Sequence, residues 1–325
     1  MRTRLAAGLL SLATLLAATA GFAQAQDFPS RPIKMIVPFP AGGGIDVTAR
    51  IAAQKMSEVL GQQIIVQNQG GGGGSIATDA VAKAEPDGYT LLYHSTTGIV
   101  HAAVTGKLPY DWFRDLVPVS IVTRFAPVMV VSPTLPVKNL AEFIALLKAS
   151  PGKYSFASSG AGTAVHLAVE MFREKAGVDM VHVPYRGTAA AMPDILTGRV
   201  ATMVDGVPVQ TKNILAGTVR AVAVTTAARS PAIPDVPTMK ESGIDVVVPF
   251  WTAIYAPAKT PPPVVARLAA AVATAMKSDE VTRRLSDVST EAVGSPPGEL
   301  AALDREQFAL YRALVEKNPA LMTGQ

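Results

Sequence analysis

Cysteine is absent from the 325 residues. Its absence excludes disulfides, thiolate metal sites, a cysteine nucleophile and a cysteine-borne lipid anchor. Charge is scarce as well: 17% of residues are Asp, Glu, Lys or Arg, and the net charge is +4. With 49% hydrophobic residues, this is not a solvated disordered chain. Arg2 and Arg4 lie in a segment expected to be removed. Without them 27 basic residues face 25 acidic ones, too even a balance for a nucleic-acid surface. Four histidines occur, His94, His101, His166 and His182, and none has a metal-ligand spacing such as H-E-x-x-H. No metal or cofactor is expected. The G-x-S-x-G nucleophile elbow is missing, as is the Gly-Lys-Ser/Thr of a P-loop. The run Gly70–Gly74 fails G-x-G-x-x-G, because Ser75 and Ile76 stand where the third glycine belongs. Past the N-terminus no stretch reaches the roughly 18 apolar residues of a spanning helix.

The first 25 residues read as an export signal. Arg2 and Arg4 form a positive start, Leu5–Ala20 is apolar, and Ala23-Gln24-Ala25 is a cleavage site. The mature chain is then expected to begin at Gln26, outside the cytoplasm, and to be periplasmic.

From residue 33 short apolar runs alternate with helical patterns. Strands are expected at Ile33–Val37, Ile64–Gln67 and Tyr89–Tyr93, with helices over 45–60 and 75–84 between them. This order implies a doubly wound parallel sheet. A second series follows at Val128–Val131, Tyr154–Ala157, Val181–Val183, Thr202–Val204 and Ala221–Val224. Pro231–Pro249 is irregular, Ala253–Tyr255 is a further strand, and the tail is helical. Having no third sheet to cover, the tail is assigned to the first unit. The expected fold is α/β, two doubly wound lobes with a cleft between them: residues 27–126 plus 250–325, and residues 127–249. Two crossings between lobes make a hinge, and small ligands bind in such clefts.

Four loops follow a strand and open a helix: 38–44, Gly70–Ser75, Ser158–Thr163 and Tyr185–Thr188. Helix starts leave up to about four N–H groups unpartnered and carry about half a positive charge. Glycines let such backbone approach an anion. Several converging starts could hold a carboxylate without a buried ion pair. The same glycines also occur at strand–helix junctions for purely structural reasons.

Pro29-Ser30-Arg31-Pro32-Ile33, Pro38-Phe39-Pro40-Ala41-Gly42-Gly43, Asp46, Ala49-Arg50 and Val66-Gln67-Asn68 occur in that order. Pro86-Asp87-Gly88-Tyr89-Thr90, Ser158–Thr163 with His166-Leu167, and Val183-Pro184-Tyr185-Arg186-Gly187 follow. In this combination the chain resembles the tripartite tricarboxylate transporter substrate-binding family, the Bug-type periplasmic binding proteins, over residues 27–320. The resemblance implies a flytrap-like fold closing on a carboxylate through backbone amides, hydroxyls and waters. Carried over, it points to Phe39, Ala41, Gly42 and Gly43 in one lobe, and to Ser158, Gly162, Thr163 and His166 in the other. Two departures stand out: Ala41 replaces the usual proline before Gly42-Gly43, and the second loop is unbroken glycine.

Other candidates keep two readings each. Asp46 and Asp205 are either ligand contacts or structural partners. Arg50 is placed for an internal ion pair, and Arg186 supports its loop or meets a second carboxylate. Ser95, Thr96 and Tyr185 join the ligand set, while Phe250 and Trp251 suit core packing as well as ligand stacking. The function expected is an exported, monomeric receptor delivering a small organic carboxylate to permease subunits. The rivals are a receptor reporting to a membrane sensor, a hydrolase using Ser158 with His166, and a regulator's effector lobe.

Overall fold

Residues 28–317 and 319 are described by the computed structural model; the expected leader, residues 1–25, lies outside them. β1 (Ile33–Val37) is buried except at Lys34, as a central strand covered on both faces should be. α1 (Gly44–Leu60) buries Ala49, Ala52, Ala53, Met56 and Leu60 at helical spacing, and Gly61 ends it in the left-handed conformation. β2 (Ile64–Asn68), α2 (Ser75–Ala82), β3 (Thr90–Ser95) and α3 (Thr97–Val104) follow. One turn, α4 (Trp112–Asp115), is capped by Asp111, which accepts from the Phe113 and Arg114 N–H groups. It leads into β4 (Leu116–Phe125), and only Ala126 separates β4 from β5 (Pro127–Val131) in the second sheet.

The second lobe continues with α5 (Leu140–Ala149), β6 (Ser155–Ser158), α6 (Ala164–Ala176) and β7 (Val181–Pro184). α7 (Met192–Thr197), β8 (Thr202–Gly206), α8 (Val207–Leu215) and β9 (Arg220–Val224) complete its regular elements. The chain then returns to the first sheet as β10 (Phe250–Pro257). α9 (Pro262–Met276), α10 (Asp279–Ser286), β11 (Thr290–Ala292) and α11 (Pro297–Lys317) finish it. α9 packs on α1 and β4, and α11 on α3 and β4.

The sheets run β11-β4-β10-β3-β1-β2 and β7-β6-β8-β5-β9. Parallel pairing, expected throughout, is confined to β2–β1–β3 and β7–β6–β8. The pairs β3–β10, β10–β4, β4–β11, β8–β5 and β5–β9 are antiparallel. Parallel neighbours need a crossover: α1 and α2 supply it among β1, β2 and β3, and α6 and α7 among β6, β7 and β8. β4 itself was not anticipated. Pro118 interrupts its pattern, and a register shift between Ile254 and Tyr255 on the facing strand accommodates it.

A chain of buried hydroxyls ties the first lobe's helix to both crossing strands. Thr48 Oγ1 donates to the Ile45 carbonyl at 3.0 Å and accepts from Tyr93 Oη at 3.0 Å. Tyr93 Oη lies 2.7 Å from Thr252 Oγ1, which lies 2.6 Å from Thr123 Oγ1. With the Tyr93 proton committed to Thr48, each remaining hydroxyl donates one step along, from Thr123 to Thr252 to Tyr93. Every member is satisfied, so the network costs little and fixes relative positions.

Asp304 on α11 is buried and accepts from Tyr255 Oη at 3.0 Å and Trp112 Nε1 at 3.3 Å. Burial outweighs those donors and pushes its carboxyl up to about 7. The folded protein therefore retains a proton that the unfolded chain releases near the ordinary value of 3.8. This group's contribution is full below that value and is lost as pH rises through about 7. Asp304→Asn is expected to flatten the fall in melting temperature across that window. Parallel profiles for the two proteins in a pH series of thermal melts would contradict it.

Candidate functional site

The carboxyl ends of the strands in both sheets face one another, and helix starts from each lobe open into the gap. The space between them is a cavity of about 240 Å³. The first lobe lines it with Phe39–Ile45 and Thr48 at the start of α1, and with Ser95–Thr97 at the start of α3. The second lobe adds Ala164 and Val165 at the start of α6, Arg186–Ala190, and Asp205, Gly206, Pro208 and Val209 at the start of α8. Phe125 and Phe250, at the two crossings, close the floor. No side chain caps α1, so its first N–H groups are left for a ligand. At α3 the Thr97 N–H meets Ser95 Oγ at 3.4 Å, and at α8 the Val207 N–H donates to the Ala126 carbonyl at 2.8 Å while Pro208 has no N–H, so only later N–H groups of those turns can serve.

The first loop is rigid by construction. Asp46 is buried, yet its carboxylate accepts from Gly42 N–H at 2.9 Å, Asn68 Nδ2 at 2.9 Å and Arg50 Nε at 3.0 Å. Burial alone would raise its pKa; the hydrogen bonds from Arg50, Gly42 and Asn68 outweigh this and hold it below the ordinary value. Asn68 also donates to the Phe39 carbonyl at 3.0 Å. The His94 ring meets Phe39 edge-on at 5.9 Å and accepts from Ser95 N–H through Nδ1 at 2.8 Å. Burial, with the neighbouring His101, pushes His94 down to about 3, so it is neutral and shapes the wall rather than charging it.

Of the residues singled out from the sequence, Phe39, Ala41, Gly42, Gly43, Ser95, Thr96 and Asp205 stand on the cavity wall. Asp46, Ser158, Gly162, Thr163, His166 and Tyr185 do not, and each has a structural partner instead. Asp46 is spent on the loop, as above. Ser158 is fully buried; its Oγ donates to the Gly160 carbonyl at 3.0 Å, accepts from Gly160 N–H and touches His182 Nε2 at 2.6 Å. Thr163 caps α6 and donates to the Gly160 carbonyl at 2.7 Å. Gly162 donates to His166 Nδ1 at 3.2 Å, which leaves His166 Nε2 facing Glu170 at 3.6 Å. The His166 ring stacks on His182 at 3.9 Å, and both lie against Phe156. Tyr185 turns away to donate to Asp194 at 2.6 Å. The Ser158–His166 pair that the hydrolase rival requires does not form. Burial, with the neighbouring His166, pushes His182 down to about 4.

The Gly70–Ser75 loop is not on the wall either. It packs across the lobe boundary: a Cβ on Gly73 would lie 3.0 Å from the His101 ring and 3.4 Å from the Ala161 carbonyl of the other lobe. A Cβ on Gly44 would lie 2.7 Å from Val209 Cγ2, and one on Gly187 would lie 3.5 Å from Pro40 Cδ. Thr97 Oγ1 accepts from Ala164 N–H across the same boundary at 3.3 Å. The lobes are thus in contact around the cavity.

Asp205 is the only carboxylate on the wall among the described residues. It accepts from Gly206 N–H and Gln210 Nε2, each at 2.8 Å, and from Thr188 Oγ1 at 3.1 Å. Burial raises its pKa, and those three donors offset part of the rise. Arg186, the wall's one cation, is exposed. Sequence reasoning missed the start of α8 and Phe125. The first had a readable signal, since Gly206 followed by Pro208 marks a helix start. The second had none, because it sits at the end of the unanticipated β4. Among the described residues no group of His, Asp and Glu is placed to hold a metal, and no helix is long and apolar enough to cross a membrane.

Two α/β lobes joined by two crossings, with backbone donors aimed into a closed gap, define a solute-binding protein. The chain belongs to the tripartite tricarboxylate transporter family of receptors, whose profile matches residues 48–319. BugT of Bordetella pertussis is 36% identical over 318 residues, 96% of this chain and 98% of its own. MatC of Rhodopseudomonas palustris, solved with bound malate, is 32% identical with a TM-score of 0.85, covering 89% of this chain and 100% of that one. A second R. palustris protein, solved with adipate, has the same identity and TM-score and covers 89% and 97%. Similar solved proteins include a periplasmic transporter and the periplasmic binding protein BugD. The family is one of receptors, not enzymes.

Gly44 has ordinary helical backbone, so Gly44→Ala tests the lobe contact without conformational strain. Overpacking costs about 1–3 kcal/mol. The variant is expected to hold the lobes farther apart, with a larger radius of gyration in small-angle scattering and little change in melting temperature. An unchanged scattering curve would mean that Val209 turns aside and the contact does not limit closure.

Proposed function

We propose that this chain is an exported, monomeric receptor that captures a small organic carboxylate between its lobes and delivers it to the permease of a tripartite tricarboxylate-type transporter. The observation that carries this reading is the convergence of the α1, α3, α6 and α8 starts on one cavity. Each start favours an anion by about 0.3–1 kcal/mol when exposed, and by up to about 2 when partly buried. Malate and adipate in the solved relatives support the same ligand class. The leader-like residues 1–25 support export and cleavage after Ala25.

In this reading Phe39, Ala41, Gly42, Gly43, Ser95 and Thr96 meet the ligand from the first lobe. Asp205 meets it from the second, accepting from a hydroxyl or amine. Asp46, Ser158, Gly162, Thr163, His166 and Tyr185 hold the loops that carry the donors. Ligand bridging both lobes favours the closed form, which the permease reads. A micromolar Kd corresponds to about −8 kcal/mol, within reach of two or three helix starts with hydroxyl help and apolar contact.

Calorimetry with mono-, di- and tricarboxylates and aromatic acids tests the ligand class, and binding of none of them would sink it. Thr97→Val removes the hydroxyl that joins the lobes and strands the Ala164 N–H. An orphaned buried donor costs about 1–3 kcal/mol, so the carboxylate that binds is expected to lose about tenfold or more in affinity. Uptake of that ligand by cells lacking the chain tests delivery; undiminished uptake would refute it.

A further inference from the structure

Beyond the carboxylate socket, the cavity is apolar and its charges are few. Phe39, Ile45, Phe125, Val165, Val209 and Phe250 face the space that the ligand's body would fill. Arg186 is exposed at the edge, and Asp205 is buried and already engaged by three donors. Neither supplies a buried cation for a second carboxylate. Hydroxyls or carboxylates pressed against those six side chains would lose water and gain no partner.

Phe125 and Phe250 hold a particular place on this wall. Phe125 is the last residue of β4, and Phe250 is the first of β10; they are register partners at the two chain crossings. Their rings meet edge-on at 5.8 Å, 86° apart. A Cβ on Gly206 would lie 3.0 and 3.2 Å from Phe125 ring carbons, so the missing side chain is what gives the ring its seat. Behind the pair lies a second groove, lined by Arg124, Arg229, Trp251 and the reverse side of the same two phenylalanines. The two rings partition the ligand cavity from that groove.

We infer that the carboxylate selected by this cavity carries an apolar ring or branched chain and no second charge, and that Phe125 and Phe250 read that body at the hinge. The inference rests on the receptor reading above and narrows its ligand class. The ring contact also couples recognition to closure, because the body packs on residues one position from each crossing. A ligand too small to touch them leaves that contact unmade.

The test is calorimetry on wild type, Phe125→Ala and Phe125→Leu with cyclohexanecarboxylate, benzoate, malate and citrate, with melting temperatures to establish that each variant is folded. Wild type is expected to bind one of the two apolar acids at least about tenfold more tightly than malate or citrate. Phe125→Ala opens the partition, and the apolar acid is expected to lose about tenfold, with malate changed less than twofold. Phe125→Leu keeps an apolar plug and is expected to recover most of the loss. Tighter binding of malate or citrate than of both apolar acids would overturn the inference and leave the receptor reading standing. An equal loss for all four acids in Phe125→Ala would also overturn it, since Phe125 would then act on closure and not on the body. Binding of no carboxylate would remove both.

Discussion

A helix start cannot satisfy its own first N–H groups, and in this molecule four such starts are turned toward one shared space. Two come from each lobe, so neither lobe completes the site alone. The rest of the architecture serves that arrangement. Strands deliver their carboxyl ends to the gap, as open α/β sheets do. The missing side chain at Gly44 lets the lobes approach, since a Cβ there would lie 2.7 Å from Val209 Cγ2. The Asp46–Arg50–Asn68 cluster holds the first loop so that its donors do not have to be organised when ligand arrives.

The four starts are not electrically equal. α1 carries Asp46 in its first turn, and α8 has Asp205 against its cap residue. Both dipoles are therefore partly answered by the chain's own carboxylates. α3 and α6 have no acidic residue in their first turns, and they meet across the boundary through Thr97 and Ala164. The cavity is thus polarised. Under the proposed function this favours an anionic group toward the α3–α6 junction and a neutral or donating group beside Asp205. That ordering comes from where two carboxylates sit, with no buried cation involved.

Much of this was legible in the sequence for definite reasons. Ile33–Val37, Val128–Val131 and the helix ending at Gly61 are apolar runs and periodic faces bounded by turn residues, and that pattern is a local property. The first-lobe loop was readable because Pro38, Pro40 and Gly42–Gly44 break a strand immediately before a periodic helix. Pairing direction was not readable, since antiparallel β10 and β4 depend on where a chain returns after more than a hundred residues. The glycine run misled for a related reason. Gly73 needs its positive φ and its missing Cβ beside the His101 ring and the Ala161 carbonyl, not for a ligand, and nothing local separates the two uses. Ser158 and His166, expected at the ligand, are instead engaged inside the second lobe. Their spacing allowed a pair, while the partner that Ser158 meets is His182, on the neighbouring strand of the sheet.

A receptor has to release what it binds, and the donor set explains how this one can. A buried cation paired with the ligand would carry a large desolvation cost on its own lobe and would hold the anion even when the lobes part. Backbone donors divided between two lobes behave differently. Under the proposed function, opening withdraws one lobe's helix starts from a ligand held by the other's, and water takes their place. The Thr97–Ala164 bond and the Gly44–Val209 contact break in the same motion, because they span the same boundary. Affinity is then a property of the closed form alone. Any partner that pries the lobes apart converts a held ligand into a released one without chemistry and without a charge to neutralise.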